Sequence, residues 1–244
     1  MHVKRLRADR ARQVADLLRH EVLSETYAGR LPLEHALARQ FGASRNTIRD
    51  ALNLLRDEGL IERCPGLGTT TAGKGKVAHG LHRLLGLGET LHEQGEVLNE
   101  VRAMSLIDPP ALVADRLRTT DQVVYIERLR KLNGVPLSLD LTYLVREVGE
   151  PLFDADLVHN DVFVLLEGIA GCPLGNAELS IEAVNADPHT AAVLGTTRGA
   201  ALLMVERLAH LSDGRPVDLE FIRFRGDRLT MRGELTRTEL PWPS

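Results

Sequence analysis

The sequence predicts an α+β protein in two domains: a small three-helix module closed by a β-hairpin, then a larger domain with a mainly antiparallel sheet and flanking helices. Three observations predict it. At 244 residues the chain is long for one ordinary core. Apolar residues recur at helical spacing up to about residue 58 and at alternating spacing through much of the remainder. The charge also changes sign along the chain. Residues 1–75 hold 13 Lys or Arg against 9 Asp or Glu, a net of +4, whereas the rest holds 17 against 25, a net of −8. A basic module joined to an acidic one suggests that only the first meets a polyanion.

Composition excludes several classes. No apolar run resembles a signal peptide or a membrane span, so a cytoplasmic protein with no membrane contact is expected. Cys64 and Cys172 form no metal or redox spacing, which fits a reducing compartment. No nucleophile elbow, metal cluster or phosphate loop is present, and no cofactor is expected.

In residues 9–26, Val14, Leu17, Leu18 and Val22 lie at helical spacing. "AGRLP" ends that helix, and a short one follows from Glu34 to Gln40, burying Leu37 and Phe41. Gly42 makes the turn, and Ser44 is placed to cap a third helix running to Glu58. Ile48, Ala51, Leu52 and Leu55 form its buried stripe, leaving Arg45, Asn46, Thr47 and Arg49 on the opposite side. "LIERCPGLGTTTA" then reads as two short strands around a glycine turn. Two helices across a tight turn, the second with a basic N-terminal end, and a hairpin wing describe a winged helix-turn-helix. Guanidinium groups there suit guanine edges and phosphate.

The stretch "LPLEHALARQFGASRNTIRDALNLLRDEGLIERCPGLGT" resembles the winged helix-turn-helix of the GntR family of bacterial transcription regulators. The resemblance implies DNA contacts from Ser44, Arg45, Asn46, Thr47 and Arg49, with His35 beside them and Gly66 of the wing entering the minor groove. His35 and Leu67 stand where the family usually has arginine, which implies weaker phosphate attraction.

Residues 1–72 are expected to form this module, 73–88 a Gly-rich linker, and 89–244 an effector-binding and dimerisation domain. His79, His82 and His92 lie near one another in sequence, but no carboxylate or cysteine is placed to complete a metal site. Further on the chain echoes itself. "ERLRKLNGVPLSLDLTYL" (127–144) matches "ERLAHLSDGRPVDLEFIRF" (206–224), pairing Arg128 with Arg207 and Asp140 with Glu220, and each copy reads as a hairpin. Between them "DVFVLLEGIAG" is helical, "AELSIEAVNA" a strand, and "DPHTAAVLG" a helix capped by Asp187. Val124, Ile126, Arg128, Arg130 and Leu132 share one strand face. Two arginines on an apolar face need an anion. Either a protein carboxylate such as Asp140 or Asp218 supplies it, or a small ligand does.

From about residue 90 to 240 the chain is similar to the UTRA effector-binding domain of the HutC subfamily, which shares its fold with chorismate lyase. The resemblance implies an effector held by Arg128 and Arg130 at its anionic group, with Asp140 and Asp218 holding hydroxyl or amino groups. Asp161 and Phe163 stand where the family usually has serine and tyrosine, and "LGLG" (85–88) lacks its hydroxyls. An effector with weak negative charge or none is therefore expected, rather than a sugar phosphate. The whole reading is a homodimeric repressor on a pseudo-palindromic operator, released by a small molecule. Alternatives are a constitutive regulator with a degenerate pocket and a lyase-like enzyme.

Overall fold

The computed structural model describes residues 2–24, 26–66, 68–71 and 76–235, with backbone alone for residues 2–7 and Glu93. The chain divides into two compact units, Met1–Lys76 and Val77–Ser244.

In the first unit, α1 (His2–Leu23), α2 (Glu34–Gln40) and α3 (Arg45–Asp57) bury a single core. Val14, Leu18 and Val22 of α1 meet Leu37 of α2 and Ile48 and Leu55 of α3. Leu17 was expected in that stripe but is 55% exposed. The buried positions 11, 14, 15, 18 and 22 of α1 set its inward face, and Leu17 lies to one side of it. Gly42 turns the chain between α2 and α3 at φ +55, a conformation that glycine adopts without strain. Ser44 caps α3, its Oγ accepting from the Thr47 N–H at 3.1 Å. Ser44→Ala should lower the unit's stability by about 1 kcal/mol, read as an earlier denaturant midpoint. Strands β1 (Ile61–Cys64) and β2 (Gly68–Thr71) form the antiparallel wing. Gly66 and Gly68 take φ +79 and +89 in its turn. Leu67 lies outside the described residues.

The second unit begins with β3 (Val77–Gly80) and α4 (Leu87–Leu91). Then come β4 (Val97–Ile107), α5 (Ala111–Leu117), β5 (Val123–Leu132), β6 (Val135–Val145) and α6 (Arg146–Gly149). The chain continues through α7 (Val162–Ala170), β7 (Leu174–Asn185), α8 (Pro188–Leu194), β8 (Ala201–Leu211), β9 (Pro216–Arg225) and β10 (Leu229–Arg232). Six of these strands make one antiparallel sheet in the order β4-β5-β6-β9-β8-β7. The two echoed segments are its hairpins β5–β6 and β8–β9, joined along β6–β9. Asn133 and Gly134, at φ +50 and +75, close the first through a two-residue turn whose twist matches the strands.

The expected linker is corrected. Residues 77–88 belong to the second unit, because β3 pairs in parallel with β10 and Val77, Leu87 and Leu91 are buried in its core. Three apolar residues spaced among glycine and histidine are enough to anchor this stretch. Of the expected linker, 73–75 lie outside the described residues. No helix among the described residues is long and apolar enough to cross a membrane.

Candidate functional site

The first unit presents a basic recess of about 730 Å³, lined by His35, Arg45, Arg49, Asn53, Arg56 and Arg63, among others. Arg45, Asn46 and Arg49 are exposed at the N-terminal end of α3, and His35 is exposed on α2. The Arg49 Nε donates to Glu34 Oε2 at 2.7 Å. The Arg49 side chain is 61% exposed and that of Glu34 36%, so this pair is weak and exchangeable for a stronger anion. Thr47 is a correction: it is buried, and its hydroxyl lies 2.8 Å from Ser44 Oγ. It belongs to the cap, since the position three after an N-cap faces back onto it. Sequence reasoning missed Asn53, Arg56 and Arg63. Helical period gave a signal for two of them, because 49, 53 and 56 fall four and three apart on one helix face.

The second unit buries a cluster of charged groups on one sheet face. Arg128 is 1% exposed, between Asp140 at 4.0 Å and Glu220 at 3.9 Å. The Arg130 Nη2 donates to Asp140 Oδ2 at 2.9 Å, and Ser138 Oγ donates to Asp140 Oδ1 at 2.6 Å. The Arg207 Nε donates to Glu220 Oε2 at 2.8 Å, and its guanidinium lies 4.3 Å above the Phe163 ring. Protein carboxylates thus face the buried arginines, yet Arg128 Nε and Nη1, Arg130 Nη1 and both Asp218 oxygens are buried without a hydrogen-bond partner. Burial and the neighbouring Glu220 push the Asp218 carboxyl well above the usual range.

Next to this cluster a cavity of about 570 Å³ is lined by Asn99, Arg130, Asp161 and Val164, with His92 and His159 also lining it. Of the six expected effector residues, Arg130 and Asp161 line it. Arg128, Asp140 and Asp218 are almost wholly buried, and Phe163 is buried against Arg207. Arg207 and Glu220 were not singled out, although the internal echo aligns them with Arg128 and Asp140. Asn99 gave no sequence signal.

His79 on β3 is buried, with Nδ1 3.1 Å from Thr90 Oγ1. Burial, then Arg207 and Arg130, hold its pKa down to about 4, from an ordinary 6.5. The unfolded chain therefore binds an extra proton between those values, and stability from this group is lost as pH falls through that window. The second unit's melting temperature should drop between pH 6.5 and 4, and less steeply in His79→Gln. Among the described residues no group of His, Cys, Asp and Glu is arranged to hold a metal.

A winged helix with a basic recognition face, followed by an α+β domain with a ligand-sized cavity, is the architecture of a DNA-binding transcription regulator controlled by a small molecule. Comparison with known proteins agrees. Residues 10–70 match the model for bacterial regulatory proteins of the gntR family, and residues 92–230 match the UTRA domain. The chain is 29% identical to an HTH-type transcriptional regulator of Mycobacterium tuberculosis, over 93% of this chain and 86% of that one. It is also 29% identical to the HTH-type transcriptional repressor NagR of Bacillus subtilis, over 82% and 83%. The crystal structure of PhnF from Mycobacterium smegmatis shares the fold, with a TM-score of 0.67 at 24% identity, covering 92% of this chain and 99% of that one. The chain belongs to the gntR family of bacterial regulatory proteins, among those that carry a UTRA domain. It is a transcription regulator and not an enzyme.

Proposed function

We propose that the protein is a homodimeric repressor whose two winged helices read the half-sites of a pseudo-palindromic operator. The observation that carries this reading is the exposed Arg45, Asn46 and Arg49 at the capped end of α3, the two arginines sharing one recess with Arg63 of the wing. Arg45, Asn46 and Arg49 reach base edges, while His35, Ser44 and Gly66 approach the backbone and minor groove. The second unit binds the effector and pairs the subunits, and the protein acts in the cytoplasm, where its operator lies. Arg130 and Asp161 meet the effector directly; Arg128, Asp140 and Asp218 hold the floor beneath them. The effector controls operator affinity by binding the DNA-competent and DNA-incompetent arrangements of the dimer unequally.

The test is a gel-shift titration on the DNA upstream of its own gene, with scrambled DNA as competitor, at rising salt and with a panel of metabolites. Selective binding released by one compound is the expected result. Selective binding that no compound disturbs would instead make it a constitutive regulator. Equal affinity for operator and scrambled DNA would remove the operator reading altogether.

A further inference from the structure

We infer that Arg56, near the end of α3, and Arg63, on the wing strand β1, form a clamp on the phosphate backbone of the bound DNA, outside the bases that the start of α3 reads. The inference rests on the first unit meeting DNA through α3 and the wing, and adds a contact that the N-terminal turn of α3 does not supply.

The two arginines are set in place by the turn between them. α3 ends in a Schellman motif: Gly59, at φ +71, donates its N–H to the Arg56 carbonyl at 2.9 Å, and the Leu60 N–H donates to the Leu55 carbonyl at 2.9 Å. Leu55 and Leu60 both lie in the core, so packing anchors the turn as well. β1 follows at once. Arg63 shares the strand face that Ile61 turns into the core, two residues further out, whereas Glu62 lies on the other face. The wing is stiffened in turn by the segment before α2. There the Leu31 N–H donates to the Thr69 carbonyl at 2.9 Å, and the Thr71 N–H to the Gly29 carbonyl at 3.0 Å. Thr69 is the β2 residue opposite Arg63.

Charge in the recess is one-sided. Among the described residues that line it, Arg45, Arg49, Arg56 and Arg63 stand against one carboxylate, Glu34. That carboxylate is taken by Arg49 at 2.7 Å. Among the described residues Arg63 engages no carboxylate, and the Arg56 Nη1 donates to the neutral Asn53 Oδ1 at 2.7 Å. The amide steadies the guanidinium and leaves its charge uncancelled. Two exposed guanidiniums without acidic partners, on one rigid corner, are an arrangement that phosphate oxygens complete.

Helix geometry decides for phosphate over base. Arg45 opens α3 and Arg56 lies three turns on, about 16 Å along the axis. The major groove of B-DNA is only about 8.5 Å deep. With the first turn of α3 at the base edges, Arg56 stands at the rim of the groove, where the backbone runs.

The experiment measures binding of the full chain to a random-sequence duplex and to the DNA upstream of its own gene, across a range of salt. The proteins are wild type, Arg56→Gln, Arg63→Gln, the double glutamine variant and Arg63→Lys. Both sites are exposed, and each variant is first shown to unfold cooperatively, as wild type does. The slope of log affinity against log salt should become shallower by about one in each glutamine variant and by about two in the double variant. Affinity should fall by the same factor on both DNAs, because a phosphate carries no sequence. Arg63→Lys keeps the charge and should keep most of the slope. A wild-type slope in the folded double variant overturns the inference. So does a loss confined to the upstream DNA, which would make the pair base readers, or an Arg63→Lys slope as shallow as that of Arg63→Gln. Because the slopes are read on random DNA, a wild type that cannot tell the upstream DNA from it would sink the operator reading and leave this one standing.

Discussion

Arg49→Ala is expected to weaken operator binding by about 1–3 kcal/mol, roughly five- to 150-fold, while binding to scrambled DNA falls far less. Three features of the structure set this size. Arg49 lies on α3, whose start is fixed by the Ser44 cap and whose inner face is locked into the core by Ile48, Leu52 and Leu55. Its guanidinium is therefore presented from a rigid element. Its partner in the free protein is Glu34, at a solvated pair that costs little to exchange. The side chain also shares a recess with Arg45, Arg56 and Arg63, which supply the sequence-independent attraction when Arg49 is gone. Titration of both DNAs at two salt concentrations checks it. An equal loss on operator and scrambled DNA, with a shallower salt slope, would make Arg49 a phosphate contact instead of a base reader.

Arg128→Ala is expected to destabilise the second unit by about 3–5 kcal/mol, because it leaves the Asp140 and Glu220 carboxylates buried with less positive charge between them. Loss of the effector response follows from that damage. The first unit has its own core, so its unfolding transition and the wing should persist. Denaturant unfolding followed separately for the two units checks this. A variant that unfolds like wild type yet ignores every effector would show that Arg128 serves the ligand and not the fold.

The helix-turn-helix was legible because its signals are local. Gly42, the Ser44 cap and the stripe Ile48, Ala51, Leu52 and Leu55 lie within 14 residues and agree with one another. Thr47 was misplaced because the same hydroxyl that looks ready for DNA also completes a cap, and only packing decides between them. In the second unit alternation flagged Arg128 and Arg130, since charge on an apolar strand face is visible in one dimension. What faced them was not, because Glu220 and Arg207 arrive from a hairpin some 80 residues on, which only the echo hinted at. The linker was misread for a related reason. Val77, Leu87 and Leu91 are too sparse to form a pattern, and it takes β10, from the far end of the chain, to make β3 a strand.

The seam between β6 and β9 has a consequence for the order in which the second unit folds. Each hairpin closes over a short stretch of chain, whereas the seam brings together residues such as Thr142 and Glu220, 78 positions apart. Closing a loop of that length costs more entropy than closing either hairpin, so the seam is expected to form after the hairpins. Arg128 sits on one side of the seam and Glu220 on the other. The pairs Arg130–Asp140 and Arg207–Glu220 form inside the hairpins, whereas the Arg128–Glu220 contact is made only when the seam closes. A ligand added during refolding can only trap molecules that have already closed; it raises the final yield without quickening the slow phase.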